Sequence, residues 1–155
     1  AMAVSALRHE CAVREVSIRE VQLSLLESGA LMLPYRDCLG SHTDFVAVHK
    51  IGLTGILRGD GKTVGWSNEC NFKPTVALCW KDLFLEDYYG IAYNESSAYV
   101  TGAEFLQLLE SICGKAIEDF PDCNAPMITR AKAARYIDRY LDPFSRPVDW
   151  HGTLK

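Results

Sequence analysis

Hydrophobic positions recur with helical spacing in the first part of the chain, between residues 4 and 28. Ser17 is followed three positions later by Glu20, the spacing of a capping box, in which each side chain accepts a hydrogen bond from the other residue's backbone N–H. Gly29 can adopt a positive φ and is therefore expected to end the helix. The pattern predicts an N-terminal helix that is interrupted near Ser17.

Between residues 30 and 94 the pattern changes to short apolar runs rich in β-branched residues, which are typical of strands. Five runs predict strands: ALMLPY, DFVAVHKIGLTGIL, TVGW, TVALCW and YYGIAYN. The intervening RGDGK predicts a hairpin that turns at Asp60 and Gly61. Three glycines within the runs predict bulges or close backbone approaches: Gly52, Gly55 and Gly65.

Helical spacing returns in the last third of the chain. Thr101 and Glu104 form a second capping-box pattern ahead of an apolar helical face, and Gly114 is expected to end that helix. A last helix is predicted from about Pro126 to Leu141, with an irregular tail over residues 143–155.

Together these elements predict an α+β fold in one domain over residues 3–155. An N-terminal helix precedes an antiparallel meander sheet of four or five strands, and two C-terminal helices pack on one face of that sheet. We found neither an internal repeat nor a domain linker in the 155 residues.

Composition narrows the classes of protein without identifying one. Apolar residues make up 48% and charged residues 23% of the chain, as in ordinary globular proteins. No apolar run approaches the about 20 residues that cross a bilayer, so we expect a cytoplasmic protein without a membrane partner. The six cysteines lack the paired spacing of a zinc site. We therefore predict that the protein binds neither a metal nor a cofactor. Reduced thiols are favoured over three disulfides.

Negative charge is concentrated between residues 82 and 122, a segment that contains nine acidic residues and only one basic residue, Lys115. This block would attract a basic protein and repel a nucleic-acid backbone. Tyrosines interleave with the acids, and this composition suits a protein interface. The candidate binding residues are Asp82, Glu86, Asp87, Tyr88, Tyr89, Tyr93 and Glu95. The favoured function is therefore protein binding of the inhibitor, immunity or adaptor type. Alternatively, the acidic block is only the solvated face of a helix together with two acidic loops, and has no binding role.

An enzymatic alternative comes from the segment ESGALMLPYRDCLGSHT, residues 27–43. Its pattern Y-x-D-x-x-G-x-x-T, with a glutamate upstream, resembles the catalytic segment of bacteriophage-type lysozymes. The resemblance implies that Glu27 is a general acid, that Asp37 stabilises positive charge or positions water, and that Thr43 holds that water. The glycine-rich continuation of the family's strand is absent here, where TDFVAV stands instead.

A second enzymatic alternative is a cysteine-dependent hydrolase. Cys38 would be the nucleophile, with His42, His49 or His151 of the tail as the activating base. Two hypotheses from different classes therefore remain, a binding protein and a small hydrolase.

Overall fold

Six α-helices and one two-stranded sheet form the regular structure in the computed structural model, which describes residues 1–155. The helices are α1 (Met2–Arg8), α2 (Ile18–Glu27), α3 (Phe45–Thr54), α4 (Glu86–Tyr89), α5 (Gly102–Cys113) and α6 (Arg130–Leu141). The strands are β1 (Asp60–Val64) and β2 (Ser67–Asn71), which pair antiparallel from Asp60 opposite Asn71 to Val64 opposite Ser67.

The predicted meander sheet of four or five strands is therefore wrong. The hairpin exists, but it turns at Gly65, which has a φ of +58°, and not at Asp60 and Gly61, which lie within β1. The two predicted C-terminal helices do form, but α6 packs against α3 and α5 instead of covering a sheet.

The longest predicted strand, DFVAVHKIGLTGIL, contains helix α3. Its β-branched residues suggested a strand, yet Phe45, Val48 and His49 are buried at the three- and four-residue spacing of one helical face. Gly55 ends the helix in the left-handed conformation, with a φ of +77°. Burial of one helical face against the core outweighs the weak intrinsic preference of β-branched residues for strands.

Two of the other predicted strands make only isolated bridges, whereas TVGW contributes its first two residues to β1 and YYGIAYN begins within α4. Tyr35 in ALMLPY bridges Cys70, and Cys79 in TVALCW bridges Tyr99. Leu78 divides its backbone hydrogen bonds between two separate segments, donating to Ile128 and accepting from Val100. Extended chain is thus present, but neighbouring segments do not run together long enough to form a sheet.

The predicted helix ends are close to those observed. Ser17 Oγ accepts a hydrogen bond from the backbone N–H of Glu20 over 3.4 Å, and Thr101 with Glu104 makes a complete capping box. Gly29 follows α2 with a φ of +82°. α6 begins at Arg130, four residues later than predicted from Pro126, because Thr129 provides its N-cap.

One cluster of 21 buried residues forms the core. Tyr35 packs there between two glycines that have no space for a side chain. A Cβ on Gly52 would lie 2.7 Å from the Tyr35 hydroxyl, and a Cβ on Gly59 would lie 2.3 Å from the Tyr35 ring. Gly52 was predicted as a bulge or close backbone approach within a strand, but it lies in α3, where the absence of a side chain gives space to Tyr35.

All six cysteines are free. No helix of the chain combines the length and the apolar composition needed to cross a bilayer.

Candidate functional site: a cationic cleft and an exposed tyrosine loop

A polar cleft lies where the hairpin joins the body of the protein. It has a volume of about 390 Å³. Its lining residues come from both ends of the hairpin, from the extended segment 76–82, from Tyr99 and from the first residue of α6. Segments far apart in the chain therefore meet in one concave surface.

Arg130 forms the floor of this cleft and is almost completely buried. Its Nε donates to the Phe72 carbonyl over 2.8 Å, and its Nη2 donates to the Arg58 carbonyl over 2.6 Å. Its Nη1 lies 3.1 Å from Asp82 Oδ2. Because all three nitrogens are engaged by different segments, Arg130 fixes the relative positions of those segments.

Positive charge exceeds negative charge in the cleft. Asp82 is paired with Arg130, and Asp60 is paired with Lys73, whose ammonium donates a hydrogen bond that holds the pKa of Asp60 below its usual value. Arg58 and Lys81 also line the cleft, and neither is paired with a carboxylate. Two uncompensated cationic side chains therefore remain.

Asp37, the predicted charge-stabilising residue of the lysozyme alternative, supports the wall of the cleft through its carboxylate. Oδ1 accepts from the backbone N–H of Phe72 over 2.8 Å, and Oδ2 accepts from that of Lys73 over 2.7 Å. Lys73 has a φ of +59°, a strained conformation for a residue with a side chain. Both Asp37 oxygens are thus used to hold a left-handed turn.

The other two residues of that alternative lie on the surface. Glu27 is exposed at the end of α2, and neither it nor Asp37 lines the cleft. Thr43 is exposed and lines a separate depression with Asp44 and Arg135. Arg135 binds both oxygens of Asp44, over 2.7 and 3.0 Å.

Cys38 and His49 lie close together, but the imidazole meets the Cys38 backbone. His49 Nδ1 accepts from the Leu33 N–H over 3.3 Å, so Nε2 carries the proton and donates to the Cys38 carbonyl over 3.2 Å. Burial and the nearby Asp37 raise the pKa of the Cys38 thiol to about 11, so the thiolate is scarce at neutral pH. His42 uses its Nδ1 to accept from the backbone N–H of Asp44.

Of the residues predicted to form an acidic, tyrosine-containing binding surface, some are exposed and others are buried or bonded within the fold. Tyr88 is buried and its hydroxyl accepts from Arg19, while Tyr89 is half-buried. Asp82 is committed to Arg130. The exposed members are Glu86, Asp87, Tyr93 and Glu95.

Two of these exposed members belong to what we call the tyrosine loop, residues 91–99. Every residue from 92 to 99 is exposed, and Tyr99, which the sequence did not single out, is 58% exposed. The Tyr93 ring stacks on Phe84 with centroids 5.0 Å apart, and its hydroxyl donates to the Lys81 carbonyl over 2.9 Å. The loop is thus exposed and anchored at the same time.

Sequence reasoning missed Arg58, Lys81, Tyr99 and Arg130 as candidate site residues. No spacing pattern links positions 58 and 130, since only the packing of α6 beside the hairpin brings them together. Two features of the sequence offered a weak signal: the RGDGK run, which begins at Arg58, and Thr129, the N-cap residue directly before Arg130.

Metal ligation has no geometric support, because no three His, Cys, Asp or Glu side chains are grouped to hold an ion. Comparisons with protein-family models, with curated protein sequences and with solved structures found no match to this chain.

Proposed function

We propose that this protein binds another protein, as an inhibitor, immunity or adaptor protein does, and that the tyrosine loop is the contact surface. The observation that carries the proposal is the exposure of Tyr93 and Tyr99 in a loop whose backbone is fixed. Tyrosine supplies a large, rigid contact area at a small cost in conformational entropy. The loop also contains the serine and asparagine that provide adaptable hydrogen bonds in binding loops.

Fixation of the loop favours binding because less conformational freedom is lost on association. The backbone N–H of Lys81 donates to Ser96 over 2.9 Å, and that of Trp80 donates to Ala98 over 3.2 Å. Asn94 Oδ1 accepts from the Ser96 N–H, which closes a turn within the loop.

The chemistry of the partner follows from the acids beside the loop. Glu86, Asp87 and Glu95 are exposed and make no ion pair within the chain, so their charges are available to a partner. A partner with a basic surface would be steered toward them. We further propose a cytoplasmic location, since six free cysteines suit a reducing compartment.

Charge reversal at one acid tests the proposal. The immobilised chain captures its partner from extract at low salt, and association rates are then measured with the purified partner. We expect Glu95→Lys to slow association by about tenfold, because the acid steers a basic partner. Glu118→Lys is the matched control, since Glu118 is exposed, belongs to the same acidic block and lies outside the tyrosine loop.

Salt dependence provides the second readout. Association of the wild-type chain should slow markedly between roughly 50 and 300 mM salt, because salt screens exposed charges. A rate that does not respond to salt, or an equal effect of the two substitutions, contradicts the proposal. The hydrolase alternative stays a prediction, and both Asp37 and Cys38 are engaged in the fold.

A further inference from the structure

The cleft at the base of the hairpin offers positive charge that the protein itself leaves unpaired. Its two carboxylates, Asp60 and Asp82, are each paired with a cation of the same cleft. Arg58 and Lys81 have no carboxylate partner, although both line the cleft. The residues that line the cleft therefore carry an excess of two positive charges.

The guanidinium of Arg58 is held in a defined orientation. Its Nε donates to the Gly55 carbonyl over 3.1 Å, and its carbon lies 3.9 Å from the centre of the Phe84 ring. Neither terminal nitrogen has an acceptor within the chain. The two terminal N–H groups of a guanidinium match the two oxygens of a carboxylate or phosphate, and stacking on a ring reduces the freedom lost on binding.

The remaining walls favour an organic ligand over a bare ion. The exposed apolar residues Val76 and Tyr99, with Ala77, line the cleft beside its charged residues. The volume of about 390 Å³ falls within the roughly 300–1,000 Å³ typical of small-molecule sites. Arg130 keeps the cleft preformed by tying three segments together.

We propose that this cleft binds a small organic anion, whose carboxylate or phosphate pairs with Arg58 and Lys81 while its compact apolar or aromatic body packs against Tyr99 and Val76. Tyr99 belongs to both surfaces, but the two tests share no residue, because the cleft is tested at Arg58 and Lys81 and the tyrosine loop at Glu95.

Titration of the isotopically labelled protein followed by NMR tests the site. Phenyl phosphate and benzoate are the two anionic probes, and benzyl alcohol is the neutral probe of similar shape. We expect saturable shifts of backbone amides in residues 71–82 with at least one anion at concentrations up to about 10 mM, and none with benzyl alcohol. The anion that binds with the lower Kd shows whether the cleft prefers a phosphate or a carboxylate.

Substitution of the two cations assigns the contacts. Arg58→Gln and Lys81→Gln should each weaken binding by about tenfold, because each removes a charge-assisted hydrogen bond. Lys62→Gln is the matched control, since Lys62 is an exposed cation of the same hairpin that lies outside the cleft. Thermal unfolding of each variant establishes that it is folded.

Three results would overturn the proposal. They are the absence of saturable shifts with both anions, unchanged affinity in folded Arg58→Gln and Lys81→Gln, and an affinity for inorganic phosphate equal to that for phenyl phosphate. None of them would affect the test of the tyrosine loop, which measures partner association at Glu95.

Discussion

His49 is buried as a neutral imidazole in the centre of the protein. Its imidazole ring packs against two aromatic rings. The centroid of the Phe45 ring is 4.4 Å away, and that of the Tyr35 ring is 5.3 Å away. Neither imidazole nitrogen meets a carboxylate, since both are used by the backbone at Leu33 and Cys38. Burial therefore lowers the pKa of His49 below the ordinary value of about 6.5 for a histidine in water.

The lowered pKa makes stability depend on pH in a defined direction. Below about pH 6.5 the unfolded chain binds a proton at His49 that the folded chain does not, so the free energy of unfolding falls as pH falls. The loss continues until the pH passes the lowered pKa of the folded state. Urea unfolding between pH 5 and 7.5 should show this slope in the wild type and a reduced slope in His49→Gln.

The control for His49 is His151→Gln, which removes an exposed histidine of the tail. That substitution should leave the slope unchanged. If the wild-type protein and His49→Gln have the same pH dependence between pH 5 and 7.5, His49 is not protected from protonation by the fold.

At the scale of elements, the start of α5 depends on the absence of one side chain. Gly102 is the first residue of that helix, and its N–H donates to the Ala125 carbonyl over 2.9 Å. A Cβ at this position would lie 1.8 Å from the carbonyl oxygen of Asp122. The loop before α6 therefore packs directly against the backbone of α5.

Gly102→Ala should consequently destabilise the protein by about 3 kcal/mol, because backbone must move to relieve the clash. Gly61→Ala is the matched control: its Cβ meets nothing within 4 Å and its φ is not positive. We expect that change to lie within about 1 kcal/mol of the wild type. Chemical denaturation of both variants measures the difference, and equal stabilities would contradict the packing at Gly102.

At the scale of the whole molecule, Cys38 reports on global opening. Its side chain has no exposed surface, and the pKa of its thiol is raised to about 11 by burial. Alkylation in the native state should therefore be slower than in denaturant by a factor on the order of 100, because the thiolate is the reactive form. Peptide-resolved mass spectrometry measures the rate at each cysteine.

Cys11 is the internal reference for this experiment, since it is only half-buried and lies near the N-terminus. Native-state labelling of Cys38 as fast as that of Cys11 would contradict its burial. It would also revive the nucleophilic role that the raised pKa argues against.

Local patterns predicted the parts of the fold that depend on neighbouring residues. The capping box at Thr101 and Glu104 is present because it requires only two side chains three positions apart. Helix ends at Gly29 and Gly114 were predicted for a similar reason, since glycine adopts a positive φ without strain.

Strand predictions failed where the environment decides the conformation. The run containing α3 has β-branched residues and helical spacing together, and burial of Phe45, Val48 and His49 decided in favour of the helix. Extended segments such as TVALCW did not form a sheet, because pairing depends on a partner strand that the segment's own residues do not specify.

The sequence by itself determined where α2 and α5 begin and end, because caps and turns are interactions over three or four residues. Only the tertiary structure decided which of the tyrosines are exposed and which cations form the cleft. Arg58, Lys81 and Arg130 are separated by up to 72 positions, as between Arg58 and Arg130. They meet because the first residue of α6 bonds the chain on both sides of the hairpin, at Arg58 and Phe72, and no local pattern encodes that contact.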